Sequence, residues 1–214
     1  MGLRSGLMLL LAITCSGCTP WAHRYQVASS GTVGCPADQF DKDGQDWGLP
    51  PYFWGVMAKN DFAWLRRRAR YSGELYDRFR IDHLVGFFRT TMRPYDARRG
   101  PDGKLVAPRF DPPDEQSQRL HGERVVAAMI ASAAETGAQL IAEDLGSIPD
   151  YVPPALVKLG APGYRVFVWE KDGEVFRDPA SYPARSVACF GTHDTDPVAA
   201  WWVKLSDRDR KSVV

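Results

Sequence analysis

Helices and short apolar strands alternate along this chain, and their order restricts the fold more than any other feature. Apolar residues at helical spacing predict a helix over residues 61–76 with Asp61 as its N-cap and a helix over residues 122–136 that Gly137 ends. A third, broken helix is predicted over residues 149–159, and Gly160 ends it. Short apolar runs predict strands over residues 79–82, 138–142, 164–169 and 186–190. Strands that alternate with helices pair in parallel through right-handed crossovers. The sequence therefore predicts an α/β fold with a parallel sheet.

Acidic residues follow three of these strands, and they are Asp82, Glu143 and Asp194. In a parallel α/β barrel the catalytic groups lie at the C-terminal ends of the strands, so we expect the three carboxylates to meet. Polar neighbours accompany them, including Arg80 and His83 beside the first and His193 beside the third. One strand-end carboxylate is more often a helix N-cap, whereas three with such neighbours indicate a functional site.

Carboxylates in this arrangement support two chemistries, metal binding and cleavage of glycosidic bonds. A site for a hard metal usually draws several carboxylates from one short segment, whereas these come from three strands. Glycoside cleavage needs two separate carboxyl groups, one as nucleophile and one as general acid, so the spread favours it. Aromatic residues make up 12% of the chain and suit stacking on sugars, and Trp47 lies in a turn-rich stretch, residues 33–51, that predicts a functional loop. We expect neither a metal nor another cofactor.

Other classes of partner find little support in the sequence. The formal net charge of +1 gives no electrostatic attraction for nucleic acid, and the arginine run of the first helix is better explained as a solvated face. No apolar run approaches the ~20 residues that a membrane-spanning helix needs, so we expect no membrane span. Cys15 and Cys18 have the spacing of a zinc or redox motif, but no second pair of ligands follows them.

Six stretches match, in order, the pattern of one enzyme family. They are residues 44–52 (GQDWGLPPY), 79–87 (FRIDHLVGF), 122–123 (GE), 141–146 (IAEDLG), 162–167 (PGYRVF) and 191–197 (GTHDTDP). With these stretches the chain resembles the 4-alpha-glucanotransferases, also called amylomaltases or disproportionating enzymes, which are relatives of the alpha-amylases. The resemblance implies a cytoplasmic enzyme that transfers segments of α-1,4-glucans to glucose or another α-1,4-glucan by retaining double displacement. Its partners would be maltooligosaccharides and α-1,4-glucans.

The resemblance also implies a role for each site residue. Asp82 matches the nucleophile, Glu143 the general acid/base, and Asp194 the carboxylate that binds sugar hydroxyls and stabilises the transition state. The implied substrate-binding residues are Arg80, His83, His193 and Trp47, of which the last belongs to the loop that covers the glucan. In these roles Arg80 should keep Asp82 ionised, and burial or a neighbouring carboxylate should raise the pKa of Glu143.

The resemblance covers only part of such an enzyme. It runs from about residue 34 to residue 202 and corresponds to roughly the fourth to seventh strands of eight, so we expect residues 33–208 to form a partial TIM-type (β/α)8 barrel. Residues 1–32 are expected to be an unmatched leader, either of lipoprotein-signal type or artefactual, and residues 209–214 a non-native tail. Half a barrel leaves open strand edges, so we expect the chain to be inactive alone. The alternatives are an α-1,4-glucan hydrolase of the amylase group and an inactive glucan-binding fragment.

Overall fold

A computed structural model of the chain describes residues 10–11, 31–37, 41–94 and 98–213. The chain divides into two compact units, Met1–Ala161 and Pro162–Val214. Each unit combines helices with β-strands, so the mixed α/β class expected from the sequence is confirmed. Cys15 and Cys18, together with most of the expected leader, lie outside the described residues.

The first unit contains two sheets and four helices within the described residues. Its strands are β1 (Leu10–Leu11), β2 (Thr32–Cys35), β3 (Gln45–Leu49), β4 (Arg78–Ile81), β5 (Thr90–Arg93), β6 (Arg109–Asp111) and β7 (Gln139–Ala142). Its helices are α1 (Trp54–Lys59), α2 (Ala63–Leu75), α3 (Glu115–Ala134) and α4 (Val152–Leu159). Three strands form a parallel sheet in the order β1-β4-β7, and four form an antiparallel sheet in the order β3-β2-β5-β6.

Strand β4 lies at the centre of the parallel sheet. Its Arg80 pairs with Leu10 of β1 on one side and with Ile141 of β7 on the other. The pairing of β4 with β7 confirms the parallel arrangement predicted for the strands over 79–82 and 138–142. The Leu10–Leu11 strand lies in the segment expected to be a leader. Apolar side chains of β4, β7, α2 and α3 share one buried core, whose formation is the main stabilising contribution of this unit.

Helix α2 begins two residues later than predicted. Asp61, the expected N-cap, has a left-handed φ of 52° and is followed by Phe62, whose φ is 53° and whose side chain is fully buried. These two residues turn the chain sharply before the helix, so the prediction of an Asp61 cap was wrong. Instead, Asn60 Oδ1 accepts the N–H of Ala63, the first helical residue, at 3.4 Å.

Helix α3 starts earlier in the chain than predicted. It begins at Glu115, and the preceding Asp114 is its N-cap, with a carboxylate that accepts the Ser117 N–H at 2.9 Å. The helix ends at Ala134, and Gly137 adopts a φ of 78° just beyond it, which is a conformation that glycine tolerates best. Most of the predicted apolar stripe is buried, namely Val125, Val126, Met129 and Ala133, while Ile130 is partly buried.

The antiparallel sheet corrects the expectation of one long loop over residues 33–51. That stretch contributes β2 and β3, which pair with each other, and β2 also pairs with β5. Glycines and prolines surround these short strands, so locally they look like loop, and contacts with distant segments stabilise them instead. Gly34 allows the backbones of β2 and β3 to approach closely, because a Cβ at this position would lie 1.9 Å from the Gln45 carbonyl oxygen.

The second unit contains a parallel pair of strands, a small hairpin and two helices. Its elements are β8 (Gly163–Val166), β9 (Lys171–Asp172), β10 (Val175–Phe176), β11 (Ser186–Cys189), α5 (Val198–Lys204) and α6 (Asp207–Val213). Strands β8 and β11 pair in parallel, as the alternating pattern predicts. Strand β8 ends three residues earlier than predicted because the chain then forms a 3₁₀ turn over Phe167–Trp169, and β11 ends one residue earlier than predicted. In the described part of the chain, no helix is both long enough and apolar enough to cross a membrane.

Candidate active site

The register of β4 and β7 brings two of the three predicted carboxylates together. Ile81 pairs with Ala142 as the last residues of the two strands, so Asp82 and Glu143 follow at the same edge of the sheet. The ladder continues past the strands, since the Glu143 N–H donates to Ile81 O at 3.0 Å and the Leu84 N–H donates to Glu143 O at 3.1 Å. Backbone hydrogen bonds therefore set the spacing of these two side chains.

Arg80 lies between the two carboxylates. Its side chain is buried, and its Nη2 atom lies 2.5 Å from Asp82 Oδ1 and 3.9 Å from Glu143 Oε2. These two oxygens therefore lie within about 6.4 Å of each other, so both carboxyl groups can reach one glycosidic bond. Asp82, which is partly exposed, is the nearer of the two carboxylates to the guanidinium.

Glu143 is the more deeply buried carboxylate, with 11% of its side chain exposed. Burial raises the pKa of Glu143 above its usual range, and the charge of Asp82 acts in the same direction. Three contacts lower the pKa of Glu143 but do not cancel the increase caused by burial. They are a hydrogen bond from the His83 N–H to Oε2 (2.5 Å), a hydrogen bond from the Leu145 N–H to Oε1 (3.1 Å), and the charge of Arg80. A carboxyl group with a raised pKa beside one paired with arginine can work as a general acid.

His83 and Trp47 are in contact beside this pair. His83 has a left-handed φ of 48°, and in this conformation its backbone N–H reaches Glu143. The rings of Trp47 and His83 meet edge to face, with centroids 4.9 Å apart. Trp47 belongs to the antiparallel sheet and its side chain is partly open to solvent. The structure thus brings together five of the predicted site residues, which are Arg80, Asp82, His83, Glu143 and Trp47.

A small cleft that is open to solvent lies next to Trp47 and His83. Its walls are mainly apolar, with Leu49, Tyr52 and Phe87 among the lining residues. A pyranose ring has flat apolar faces that suit such walls, and aromatic rings with polar edges provide both stacking and orientation. The described residues contain no group of three or more His, Cys, Asp or Glu side chains that could hold a metal ion.

The two other predicted site residues belong to the second unit. Asp194 and His193 lie in a turn beyond β11, where the Asp194 N–H donates to Thr192 Oγ1 at 3.2 Å. His193 Nε2 lies 3.3 Å from Asp194 Oδ2, so the two side chains are neighbours. Both are mostly exposed, and 71% of the Asp194 side chain is accessible. Their participation in one site with Asp82 stays a prediction.

Three contributors to this region were not singled out from the sequence. Leu145 acts through its backbone N–H, which leaves no signal in the side-chain pattern. Gln45, inside the matched stretch 44–52, accepts the indole N–H of Trp47 at 2.9 Å. Arg93 is the single charged residue in a strand, residues 90–93, whose four side chains are all buried, and that isolation is the one available signal.

Comparison with known proteins identifies relatives across nearly the whole chain. The sequence model of a family described as 4-alpha-glucanotransferase matches residues 11–214. This match includes residues 11–32 and 209–214, the segments that were set apart as leader and tail, while the boundaries assigned to them stay predictions. The 4-alpha-glucanotransferase of Chlamydia pneumoniae is 33% identical over 198 residues, which are 91% of this chain and 35% of that protein. The chloroplastic/amyloplastic 4-alpha-glucanotransferase of Solanum tuberosum is 32% identical over 85% of this chain and 29% of its own length.

Solved structures give the same result. The amylomaltase from Streptococcus agalactiae in complex with acarbose matches with a TM-score of 0.67 and 26% identity, over 86% of this chain and 35% of that one. The amylomaltase from Corynebacterium glutamicum has a similar fold, with a TM-score of 0.67 over 88% of this chain and 25% of its own. The chain thus spans about a third of the length of the relatives it matches.

Proposed function

This chain belongs to the 4-alpha-glucanotransferase family, and we propose that it supplies carboxylates for transfer of α-1,4-glucan segments to glucose or another α-1,4-glucan. The observation that carries the proposal is the contact of one arginine nitrogen with both Asp82 and Glu143. A retaining mechanism needs a nucleophile and an acid at short separation, and we assign these roles to Asp82 and Glu143. The acarbose complex of the S. agalactiae amylomaltase supports α-1,4-glucans as the substrate class.

In the first step the ionised Asp82 attacks the anomeric carbon of the donor. The glycosidic bond breaks, and Glu143 gives its proton to the departing oxygen, so a shortened glucan leaves and a glycosyl ester of Asp82 forms. Burial keeps Glu143 protonated to a higher pH than an exposed carboxyl group, which suits this step. Arg80 contacts Asp82 Oδ1 and orients this carboxylate before the attack.

In the second step a sugar 4-hydroxyl replaces the departed glucan. Glu143, now ionised, takes the proton of that hydroxyl. The hydroxyl oxygen attacks the anomeric carbon, the bond from this carbon to Asp82 breaks, and the Asp82 carboxylate is released. Transfer exceeds hydrolysis only if an acceptor sugar occupies the site in preference to water. Trp47 and the apolar cleft beside it would supply that preference through stacking and exclusion of water. In this scheme Asp194 and His193 bind sugar hydroxyls at the cleavage position.

We also propose that the strands of both units form part of a TIM-type (β/α)8 barrel. The parallel pairs β4–β7 and β8–β11 support this proposal. The site carboxylates would then all occupy C-terminal strand ends of that barrel. The protein is placed in the cytoplasm, as the family resemblance implies.

Incubation with maltotriose tests the proposal. The chain alone and a chimera, in which it replaces the aligned segment of the S. agalactiae amylomaltase, are each incubated and their products separated. A ladder of longer maltooligosaccharides from either protein is the expected result of transfer. Glucose and maltose without longer products would replace the proposal with hydrolysis. Binding of maltotriose without any product in either protein would favour an inactive glucan-binding fragment and overturn the proposal.

A further inference from the structure

Arg93, at the end of β5, is a charged residue with only 1% of its surface exposed. Its Nε donates to Val106 O at 3.0 Å, and its Nη1 donates to Gln45 O at 2.8 Å. Both Nη atoms also lie 3.4 Å from Cys35 O. Within residues 31–37, 41–94 and 98–213, no carboxylate forms an ion pair with this guanidinium. Burial of a charge destabilises the folded chain unless oriented dipoles compensate the charge, and here three backbone carbonyls do so. The guanidinium therefore holds the backbones of Cys35, Gln45 and Val106 together.

Gln45 connects the Arg93 guanidinium to Trp47. The Gln45 carbonyl is confined from two sides, by Arg93 and by Gly34, whose missing side chain lets β2 approach it. The other end of the residue, Oε1, accepts the Trp47 indole N–H at 2.9 Å. A buried charge, a strand backbone, an amide and an indole therefore form a continuous series of contacts.

The series continues toward the carboxylates. Trp47 meets the ring of His83, and the backbone N–H of His83 donates to Glu143. A displacement of β3 would therefore move the wall of the cleft and alter the contacts of His83. Arg93 itself touches neither carboxylate, and its hydrogen bond to the Gln45 carbonyl connects it to Trp47 through β3.

We propose that Arg93 and Gln45 are positioning residues that hold the Trp47 ring in place at the mouth of the sugar-binding cleft. Arg93 fixes the backbone of β3, and Gln45 fixes the orientation of the indole on that backbone. The ring is thereby ordered before sugar arrives, which reduces the conformational entropy lost on binding. The sugar-binding part of this inference rests on the proposed function, whereas the ordering of the ring does not.

Fluorine NMR of the chain labelled with 5-fluorotryptophan measures the ordering directly. The chain has seven tryptophans, and Trp47→Phe assigns the Trp47 resonance by its disappearance. We expect one narrow Trp47 signal in the parent chain. Arg93→Met should broaden or split it and move it toward the position of free fluorotryptophan, and Gln45→Leu should cause a smaller change of the same kind.

Arg99→Met is the matched control. The exposed Arg99 donates to Gly103 O at 2.7 Å, so this change also removes an arginine–carbonyl hydrogen bond, but one that does not involve β2 or β3. It should leave the Trp47 signal unchanged. An unchanged Trp47 signal in a folded Arg93→Met chain would overturn the role of Arg93. Should that variant not fold, Gln45→Leu at its exposed site decides, and an unchanged signal there would overturn the proposal.

Titration with maltotriose separates this inference from the proposed function. In the parent chain the sugar should shift the Trp47 signal, and in Arg93→Met the binding should weaken by about tenfold, as expected when a preordered contact becomes mobile. If maltotriose shifts no signal in the parent chain, the sugar-binding part of this inference fails while the ordering of Trp47 by Arg93 and Gln45 is still measured. The products that the chimera forms from maltotriose then decide the proposed function separately. If maltotriose binds the parent and Arg93→Met equally well, the positioning role in sugar binding is overturned.

Discussion

Glu143 and Asp194 both follow strands that pair in parallel, yet their surroundings differ. Glu143 comes directly after β7, is nearly buried, and accepts two backbone N–H groups. Asp194 comes after a turn beyond β11, is mostly exposed, and has His193 as its neighbour within the second unit. The position after a strand is therefore not sufficient to create the environment of a catalytic acid.

The source of the difference is the neighbouring strand. Strand β4 ends level with β7, so Asp82, Arg80 and the backbone of His83 all surround Glu143. Their combined effect, with burial as the largest contribution, leaves the pKa of Glu143 raised, and Arg80 forms an ion pair with Asp82 beside it. Two carboxylates with different surroundings at one sheet edge can divide the roles of nucleophile and acid between them.

The largest expected effect is that of Asp82→Asn. An amide cannot form the glycosyl ester, so transfer should fall by about 10⁴-fold or more. Mass spectrometry after incubation with a maltosyl fluoride donor, without acceptor, should detect a covalent adduct in the parent protein and none in the variant. The measurement uses whichever protein shows transfer from maltotriose. Near-normal transfer by Asp82→Asn would show that another residue is the nucleophile.

Glu143→Gln should have a smaller effect that depends on the donor. With maltotriose, which needs protonation of its leaving group, transfer should fall by about 10²–10⁴-fold. With a glycosyl fluoride, whose leaving group needs no proton, formation of the glycosyl-enzyme should be nearly unchanged. The ratio of the two rates separates loss of an acid from general damage to the site. Equal losses with both donors would contradict the assignment of Glu143 as the acid.

The raised pKa of Glu143 also predicts a pH dependence of stability. The folded chain keeps the proton to a higher pH than the unfolded chain, so the contribution of Glu143 is fully present below its ordinary pKa of 4.5 and is lost as pH rises through the folded value. Urea unfolding should therefore show Glu143→Gln, which stays neutral, gaining stability relative to the parent as pH rises above 4.5. A constant difference between the two would mean that the pKa is not raised.

His121 and Glu135 help to interpret the pH dependence of urea unfolding. Burial lowers the pKa of His121 to about 4, so this residue destabilises the folded chain as pH falls below 6.5, in the opposite direction. The difference between variant and parent removes that shared contribution. Glu135→Gln, at an exposed site, is the control for the substitution of a glutamate by glutamine.

The sequence predicted the elements that carry their own periodic signal. Strands β4 and β7 and the apolar stripe of α3 were predicted because their buried side chains recur at regular spacing. The first turns of α3 were missed because the residues from Glu115 to His121 are mainly polar. Strands β2 and β3 were missed because glycines and prolines interrupt their local pattern, and because β5, the second partner of β2, lies far along the chain.

The same distinction applies to the site. Asp82 and Glu143 could be predicted because strand ends and register follow from local pattern and parallel pairing. Arg93 could not, because its acceptors Gln45 and Cys35 lie 48 and 58 residues away and are backbone atoms that no side-chain pattern marks. The exposure of the Asp194 side chain could not be predicted either, because it depends on how the turn after β11 folds.

The smallest expected effect concerns Asp194 and sharpens its contrast with Glu143. Because its side chain is mostly exposed, Asp194→Asn should change the free energy of unfolding by no more than about 0.5 kcal/mol, as measured by urea denaturation. Asp207→Asn, at another exposed aspartate of the same unit, is the matched control. A loss well above that of the control would mean that Asp194 is held by its surroundings as firmly as Glu143. If stability is unchanged while transfer from maltotriose still falls, the contribution of Asp194 lies in contact with substrate rather than in folding.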